Sequence, residues 1–243
     1  LGRTLCAELT DFEMIPTDLP EADITDERGI DAVIRKYAPD AVIHCAAMTA
    51  VDKCEAERDL AYKLNAFGTA NIASACHRNG VRLIAISTDY VFKGDSERPY
   101  TEFDRPDGGN TVYGQSKFAG EEMIRRHCPD HVIARISWLY GAGGPSFVHA
   151  MISLADGTRP VLKVVSDQLG NPTSALAVVR ELREVLKRPE LVGTYHMTCE
   201  GEASWYEFAR EIFRRIQEAG LTNPAIIRAV VPGKEKERIR LVA

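Results

Sequence analysis

The chain has 243 residues, 45% of them hydrophobic, and a formal net charge of −5. That is enough for one domain, or one domain with a smaller lobe, and it offers no basic block for nucleic acid or an anionic membrane surface. No run of roughly 18 apolar residues marks a membrane span, and the six cysteines lie scattered without a C-x-x-C pair, as reduced thiols of a cytoplasmic enzyme would.

The first residues, LGRTLCAEL, place Leu1, Leu5 and Leu9 on one helical face. A doubly wound sheet needs a central first strand and a glycine turn before such a helix. The reading therefore expects a preceding piece of about ten residues, by the dimensions of strand and turn. Gly2 is then the last glycine of a G-x-x-G-x-x-G turn, or else an ordinary helix-start glycine. FEMIPTD (12–18) falls where a strand would follow the first helix. Ile30, Val33, Ile34 and Tyr37 fall at helical spacing, as do Leu60, Leu64, Phe67 and Ile72. Between and after them, DAVIHCAA (40–47), VRLIAIS (81–87) and HVIARIS (131–137) are short and rich in β-branched residues. They predict buried strands of a parallel sheet. The alternation predicts a Rossmann-like, doubly wound α/β domain over residues 1–144. From residue 145 the pattern loosens into a helix near 146–156, a strand at VLKVV and the loop SDQLGNPTSA. A helix near 174–187, a strand at GTYHMT and a helix after Ser204 follow. Residues 145–243 are expected to build mainly a smaller lobe.

Candidate site residues sit at strand ends. Asp18 stands where a dinucleotide-binding unit places an acid against the adenosine ribose hydroxyls, which would favour NADH over NADPH; it is equally a turn aspartate. Asp23 and Ile24 would flank the adenine, unless this stretch only leads into a helix cap at Thr25 and Asp26. Ala46 and Ala47 follow a strand, where small side chains let a cofactor approach the backbone, and Thr49 is placed to hydrogen-bond cofactor or substrate. A tight strand–helix connection explains them as well. Ser87, Thr88 and Asp89 end the next strand, as ligand-holding groups or as turn formers. A loop of about twenty residues, long enough to be functional or mobile, leads to Tyr113. Tyr113 and Lys117, at i and i+4, are neighbours on one helix face. An ammonium beside a phenol favours the phenolate and suits it to proton transfer, though a half-buried tyrosine beside a surface lysine has the same spacing.

Taken together, STDYVF, YGQSK followed by GE, RISWLYG and VSDQLGNPTSA, with TAVDKCE and GTYHMT, resemble the extended short-chain dehydrogenase/reductases. Within them the chain is most similar to the dTDP-4-dehydrorhamnose reductase family, from Leu1 to about Phe213. The resemblance implies an NADH- or NADPH-dependent reduction of a 4-keto dTDP-sugar, with the later lobe binding the substrate. It implies Thr88, Tyr113 and Lys117 as catalytic residues. Asp18, Asp23, Ile24, Ala46, Ala47, Thr49, Tyr113 and Lys117 would line the cofactor site, and Thr88, Asp89 and Trp138 would lie against the nucleotide-sugar. Thr88 would hold the carbonyl oxygen, and Lys117 would hold the nicotinamide ribose and lower the Tyr113 pKa. The resemblance allows a homodimer, and a Mg2+ ion at a subunit contact that no motif in this sequence supports. It also includes non-catalytic NADP-binding regulatory subunits, which an intact Thr88, Tyr113 and Lys117 set argues against. A nucleotide-sugar epimerase or dehydratase would keep the same fold, and the dehydratase is disfavoured because Tyr90, not Glu, follows Asp89. Three departures from the family pattern stand out, the first being that the expected phosphate-binding glycine turn is not seen before Leu1. PDGGNTVYG is longer and richer in glycine than the usual approach to the tyrosine, and VVPGKEKERIRLVA lacks an R-P-x-N-type segment.

Overall fold

The computed structural model describes residues 1–155, 158 and 160–220, and the backbone of 226–230. Helix α1 (Gly2–Glu8) lays Leu5 on the core, and Leu9 just beyond it is fully buried. Helix α2 (Glu27–Tyr37) starts at Asp26, whose carboxylate accepts from the Arg28 N–H, and turns Ile30 and Ile34 inward. Strand β1 (Ala41–His44) leads to α3 (Val51–Ala56), α4 (Arg58–Tyr62), a π-helical turn at 63–68 and α5 (Thr69–Arg78). Strand β2 (Arg82–Thr88) ends in a 3₁₀ turn at 89–91, followed by the long irregular loop, α6 (Val112–His127) and β3 (His131–Ile136). Then come β4 (Leu139–Tyr140), α7 (Phe147–Leu154), β5 (Val161–Val165), β6 (Leu169–Gly170) and β7 (Thr173–Ser174). The described chain closes with α8 (Ala175–Lys187), β8 (Gly193–His196), β9 (Ala203–Ser204), α9 (Trp205–Glu218) and β10 (Ile226–Val230).

The main sheet runs β1-β2-β3-β8, all parallel. Successive side chains of a strand point to opposite faces, so Leu83 and Ala85 pack with Ile30, Ile34, Ile72 and Ile124 on one side. Ile84 packs with Leu5, Leu9, Val178 and Leu182 on the other. Both faces are covered, which is why the strands read as continuous apolar runs.

Three expectations change. The segment 12–18 turns Phe12 and Met14 toward the core, but it is not a strand, because among the described residues no strand exchanges ladder hydrogen bonds with it. The stretch expected to carry Leu60, Leu64, Phe67 and Ile72 on one face contains the π turn. Its extra residue rotates the helix surface, leaving Phe67 59% exposed while Ile72 stays buried. Finally, residues after 144 are not confined to a separate lobe. Strand β8 pairs with β3 in the main sheet, and α8 packs beside α1. The smaller lobe in space is α7, β5 and α9, around Met151, Leu162, Val164, Ile212 and Phe213, with β10 paired to β5. The departure noted at the C-terminal end falls almost wholly on 231–243, outside the described residues. Among the described residues no helix is long and apolar enough to cross a membrane.

Candidate active site

Helix α6 is fixed at its start by two side chains. Thr111 accepts from the Gly114 N–H at 3.0 Å, and Glu55, from the end of α3, accepts from the Val112 N–H at 2.7 Å. These satisfy amide groups that a helix leaves without partners in its first turn. The approach to α6 needs glycine. A Cβ on Gly109, at φ +65°, would stand 2.2 Å from the Tyr90 carbonyl oxygen, and one on Gly114 would stand 2.1 Å from the same oxygen. The glycine-rich departure PDGGNTVYG is thus what lets α6 press against the turn after β2.

That approach brings Tyr113 to Thr88. The Thr88 hydroxyl is buried, donates to Asp89 at 3.0 Å and accepts from the Tyr90 N–H at 3.3 Å. It also interacts with the Tyr113 phenol. Burial pushes the Tyr113 phenol up to about 12; Thr88 partly offsets this, and the charges of Asp89 and Cys54 add to it. Lys117, expected to lower that value, is not among these influences. Its Nζ donates to the Ile86 carbonyl at 2.8 Å, and burial pushes the ammonium down to about 8, against the pull of Glu121 and Cys45.

Below Lys117 lies a small polar cavity lined by His44, Asn65, Thr69, Ser87 and Glu121. Burial holds His44 near 3, with the Lys117 charge adding to the effect, so His44 is neutral and shares a hydrogen bond with Thr69 at 3.0 Å. Glu121 accepts from Ser87 at 2.6 Å and from Arg135 at 2.9 and 2.7 Å. Burial raises its pKa, and Arg135, Ser87 and Arg125 together more than cancel that. Both ends of the Glu121–Arg135 pair are 1% exposed. Breaking such a pair from one side costs about 3–5 kcal/mol, so it locks α6 to β3.

At the carboxyl end of β1, Ala46 is exposed and Ala47 half-buried, with Thr49 exposed beyond them. This edge is open to a flat ligand, as a dinucleotide requires. Asn65, in the π turn, holds it in place through both backbone groups of Met48 and through Ser116 on α6. Nothing in the local pattern announces Asn65 beyond its being a polar residue inside an apolar helix. Glu55 and Glu121 read as ordinary helix charges in the sequence, and only the fold buries or engages them.

Of the remaining candidates, Asp89 hydrogen-bonds Thr88. Asp18 is exposed and accepts from the Leu19 N–H at 2.8 Å. Asp23 accepts from the Thr25 N–H at 2.8 Å, which draws its pKa below the usual range. Ile24 packs over Gly68, and its carbonyl accepts from Asn71 at 2.9 Å. Gly2 opens α1 with free space around it. Asp89, expected against the sugar, is 1% exposed and turned inward to Thr88. Trp138, with φ at 42°, stacks on Trp205 of the smaller lobe, centroids 3.5 Å apart and planes 9° apart. One face of its ring is therefore covered by the lobe. Among the described residues no group of three His, Cys, Asp or Glu side chains is placed to hold a metal ion.

A parallel sheet with a Tyr–Lys helix face packed beside a Thr at the end of its second described strand is the arrangement of a short-chain dehydrogenase/reductase. A family model, the RmlD substrate binding domain, matches residues 1–239, and the chain belongs to that family. It is 41% identical over 223 residues to the spore coat polysaccharide biosynthesis protein SpsK of Bacillus subtilis, covering 91% of this chain and 76% of that protein. It is 38% identical over 204 residues to the dTDP-4-dehydrorhamnose reductase of Salmonella typhimurium, covering 82% and 68%. The solved dTDP-4-dehydrorhamnose reductase of Bacillus anthracis, in complex with NADP, superposes with a TM-score of 0.92 at 36% identity, covering 100% of this chain and 86% of that one.

Proposed function

We propose that the chain reduces the 4-keto group of a dTDP-6-deoxyhexose with NADPH or NADH, converting dTDP-4-dehydro-L-rhamnose to dTDP-L-rhamnose. The observation that carries this reading is Tyr113 and Lys117 on one face of α6, with Thr88 beside the phenol, in a chain of this family. The open edge at Ala46 and Ala47 fits the cofactor, with Thr49 beside it. Asp18, Asp23 and Ile24 would take its adenosine end, Gly2 its phosphates, and Tyr113 and Lys117 its nicotinamide ribose. When bound, NAD(P)H supplies the hydride that reduces the sugar carbon. Tyr113 donates its proton to the sugar oxygen as negative charge develops there. Lys117 supplies positive charge at the base of the site. The smaller lobe of α7, β5 and α9 contributes the substrate side, with Trp138 at its border. Scattered free thiols fit a cytoplasmic setting, and we place the protein there.

The test is NADPH oxidation by the purified protein with dTDP-4-dehydro-6-deoxy-L-mannose, with the product identified. Tyr113→Phe keeps the ring and removes the proton. Turnover should fall by about 10²–10⁴, the usual worth of a positioned general acid, with the NADPH dissociation constant within about twofold. Wild-type turnover in Tyr113→Phe would overturn the assignment.

A further inference from the structure

Helix α3 has six residues, and no side chain caps its start at Ala50. A helix so short is not stable alone in water, so its place is set by what holds it. On its inner side the buried Cys54 thiol donates to the Met48 carbonyl at 3.5 Å, and Cys54 packs in one apolar cluster with Val112 and Tyr113. On its outer side Glu55 reaches across to α6 and accepts from the Val112 N–H at 2.7 Å. That amide is one of those a helix leaves without an intrahelical partner, and it belongs to the residue just before Tyr113. Just ahead of α3 in the chain lies the open edge of Ala46, Ala47 and Thr49.

Two further contacts run the same way. Arg58 of α4 donates to Gln115 at 3.3 Å, and Asn65 donates to Ser116 at 3.0 Å. Both end on the stretch of α6 between Tyr113 and Lys117. The Glu55 contact is shorter than either, and it grips backbone where they grip side chains.

We propose that Glu55 is a positioning residue that ties the start of α6 to the edge after β1, so that a dinucleotide seated on that edge draws Tyr113 into place. The proposal rests on the reading of that edge as the cofactor site and of Tyr113 as the proton donor, and adds the link between them. Glu55 acts through the backbone of α6, not on the reacting atoms.

The consequence is a division between rate and affinity. Without the Glu55 acceptor, Thr111 still takes the Gly114 N–H, so α6 still forms. Its first turn is no longer held to α3, and Tyr113 rides on that turn. A displacement of about 1 Å in a catalytic group can cost on the order of a hundredfold in rate. The cofactor makes its own contacts along the whole dinucleotide, so its affinity depends much less on where the phenol stands.

The experiment counts active sites by bound NADPH, so that unfolded protein does not enter the rate. Glu55→Ala should lower turnover per bound NADPH by about tenfold or more, with the NADPH dissociation constant within about threefold. Glu55→Gln keeps an acceptor oxygen at the same reach and should recover most of the rate. Glu57→Ala, which removes a carboxylate whose partner is Lys53 at 3.8 Å, should leave both quantities unchanged. A lower melting temperature with unchanged turnover per bound NADPH would make Glu55 merely structural and overturn the proposal. So would an equal loss in Glu55→Ala and Glu55→Gln.

A second readout needs no sugar. Saturating NADPH should slow hydrogen exchange of the Val112 amide, followed by NMR, by about tenfold or more in the wild type and in Glu55→Gln. In Glu55→Ala the slowing should be lost. Exchange that NADPH leaves unslowed in the wild type overturns the proposal without any variant. The predicted exchange pattern in a protein that reduces no 4-keto sugar would sink the reductase reading and keep the link through Glu55. No saturable binding of NADPH would sink both.

Discussion

Asn65 takes both backbone polar groups of Met48, accepting from its N–H at 2.8 Å and donating to its carbonyl at 3.0 Å. The same amide nitrogen donates to Ser116 Oγ on α6 at 3.0 Å. One side chain thus joins the open edge after β1 to the helix of Tyr113 and Lys117. Asn65→Ala leaves buried groups without partners, at about 1–3 kcal/mol for each one that water cannot reach. We expect unfolding stability to fall by roughly 2–4 kcal/mol and NADPH binding to weaken. Asn65→Asp keeps the acceptor but sets a buried carboxylate oxygen against the Met48 carbonyl, so it should fall at least as far as Asn65→Ala. Denaturant titration and cofactor fluorescence measure the two effects, and an Asn65→Ala protein with unchanged NADPH affinity would separate Asn65 from the cofactor edge.

Asp18 is exposed, with one carboxylate oxygen accepting from its own neighbour, Leu19. Its negative charge would repel a 2′-phosphate held beside it. Asp18→Ala should improve the use of NADPH relative to NADH by roughly tenfold. The readout is kcat/KM with each coenzyme, and an unchanged ratio would make Asp18 a turn residue alone.

At Gly109 the backbone is left-handed, with φ at +65°, and a Cβ would meet the Tyr90 carbonyl oxygen at 2.2 Å. Gly109→Ala would incur about 1–2 kcal/mol for the conformation itself, and it must also push the loop away from the turn at 89–91. Because that contact sets Tyr113 against Thr88, turnover should drop more than stability does. Melting temperature and kcat, measured together, check this, and a loss confined to melting temperature would count against it.

The sheet was legible because its strands are buried on both faces: VRLIAIS and HVIARIS could hardly be anything else. The neighbour of a strand is not written in it, so GTYHMT reads as a strand without showing that it joins β3. Tyr113 and Lys117 were found because i and i+4 is a fixed helical distance. What they do to each other depends on burial and hydrogen-bond direction, which spacing does not carry: Lys117 turns to Ile86, and Tyr113 is governed by burial, Thr88 and Asp89. Glu121 and Arg135 look like surface charges until the fold places both at 1% exposure. The π turn that delivers Asn65 breaks the very periodicity by which helices are recognised.

Trp138 lies flat on Trp205, with centroids 3.5 Å apart, and a Cβ on Gly170 would touch its ring at 2.4 Å. Removing so large a packed side chain costs about 3–5 kcal/mol. Trp138→Ala should therefore destabilise the protein, and it should also raise the KM for the sugar nucleotide by more than it raises the NADPH dissociation constant. Trp138→Phe, which restores part of the stack, should recover most of the stability and less of the KM. Equal effects on both ligands would leave Trp138 as packing between sheet and lobe alone.

Lys117 sets stability against function. Its folded pKa, about 8, lies below the ordinary lysine value of 10.5 because burial disfavours the ammonium. Below pH 8 the lysine is charged in both folded and unfolded chains, so the whole burial penalty weighs on the folded state. Between about 8 and 10.5 the unfolded chain holds more protons than the folded one, and stability from this group rises with pH. The penalty is on the order of 3 kcal/mol, reduced in any exchange by the roughly 1–3 kcal/mol of leaving the Ile86 carbonyl without its donor. Lys117→Met should then be more stable than wild type at pH 6 by roughly 1 kcal/mol. That gap should close, and then reverse, as the pH is raised from 8 toward 10.5. Turnover should be nearly lost at every pH, since no cation remains under the cofactor edge. Urea denaturation of both proteins across this pH range reads the gap directly. A gap that widened with pH would mean that Lys117 is stabilised in its charged form by the fold, contrary to the burial argument.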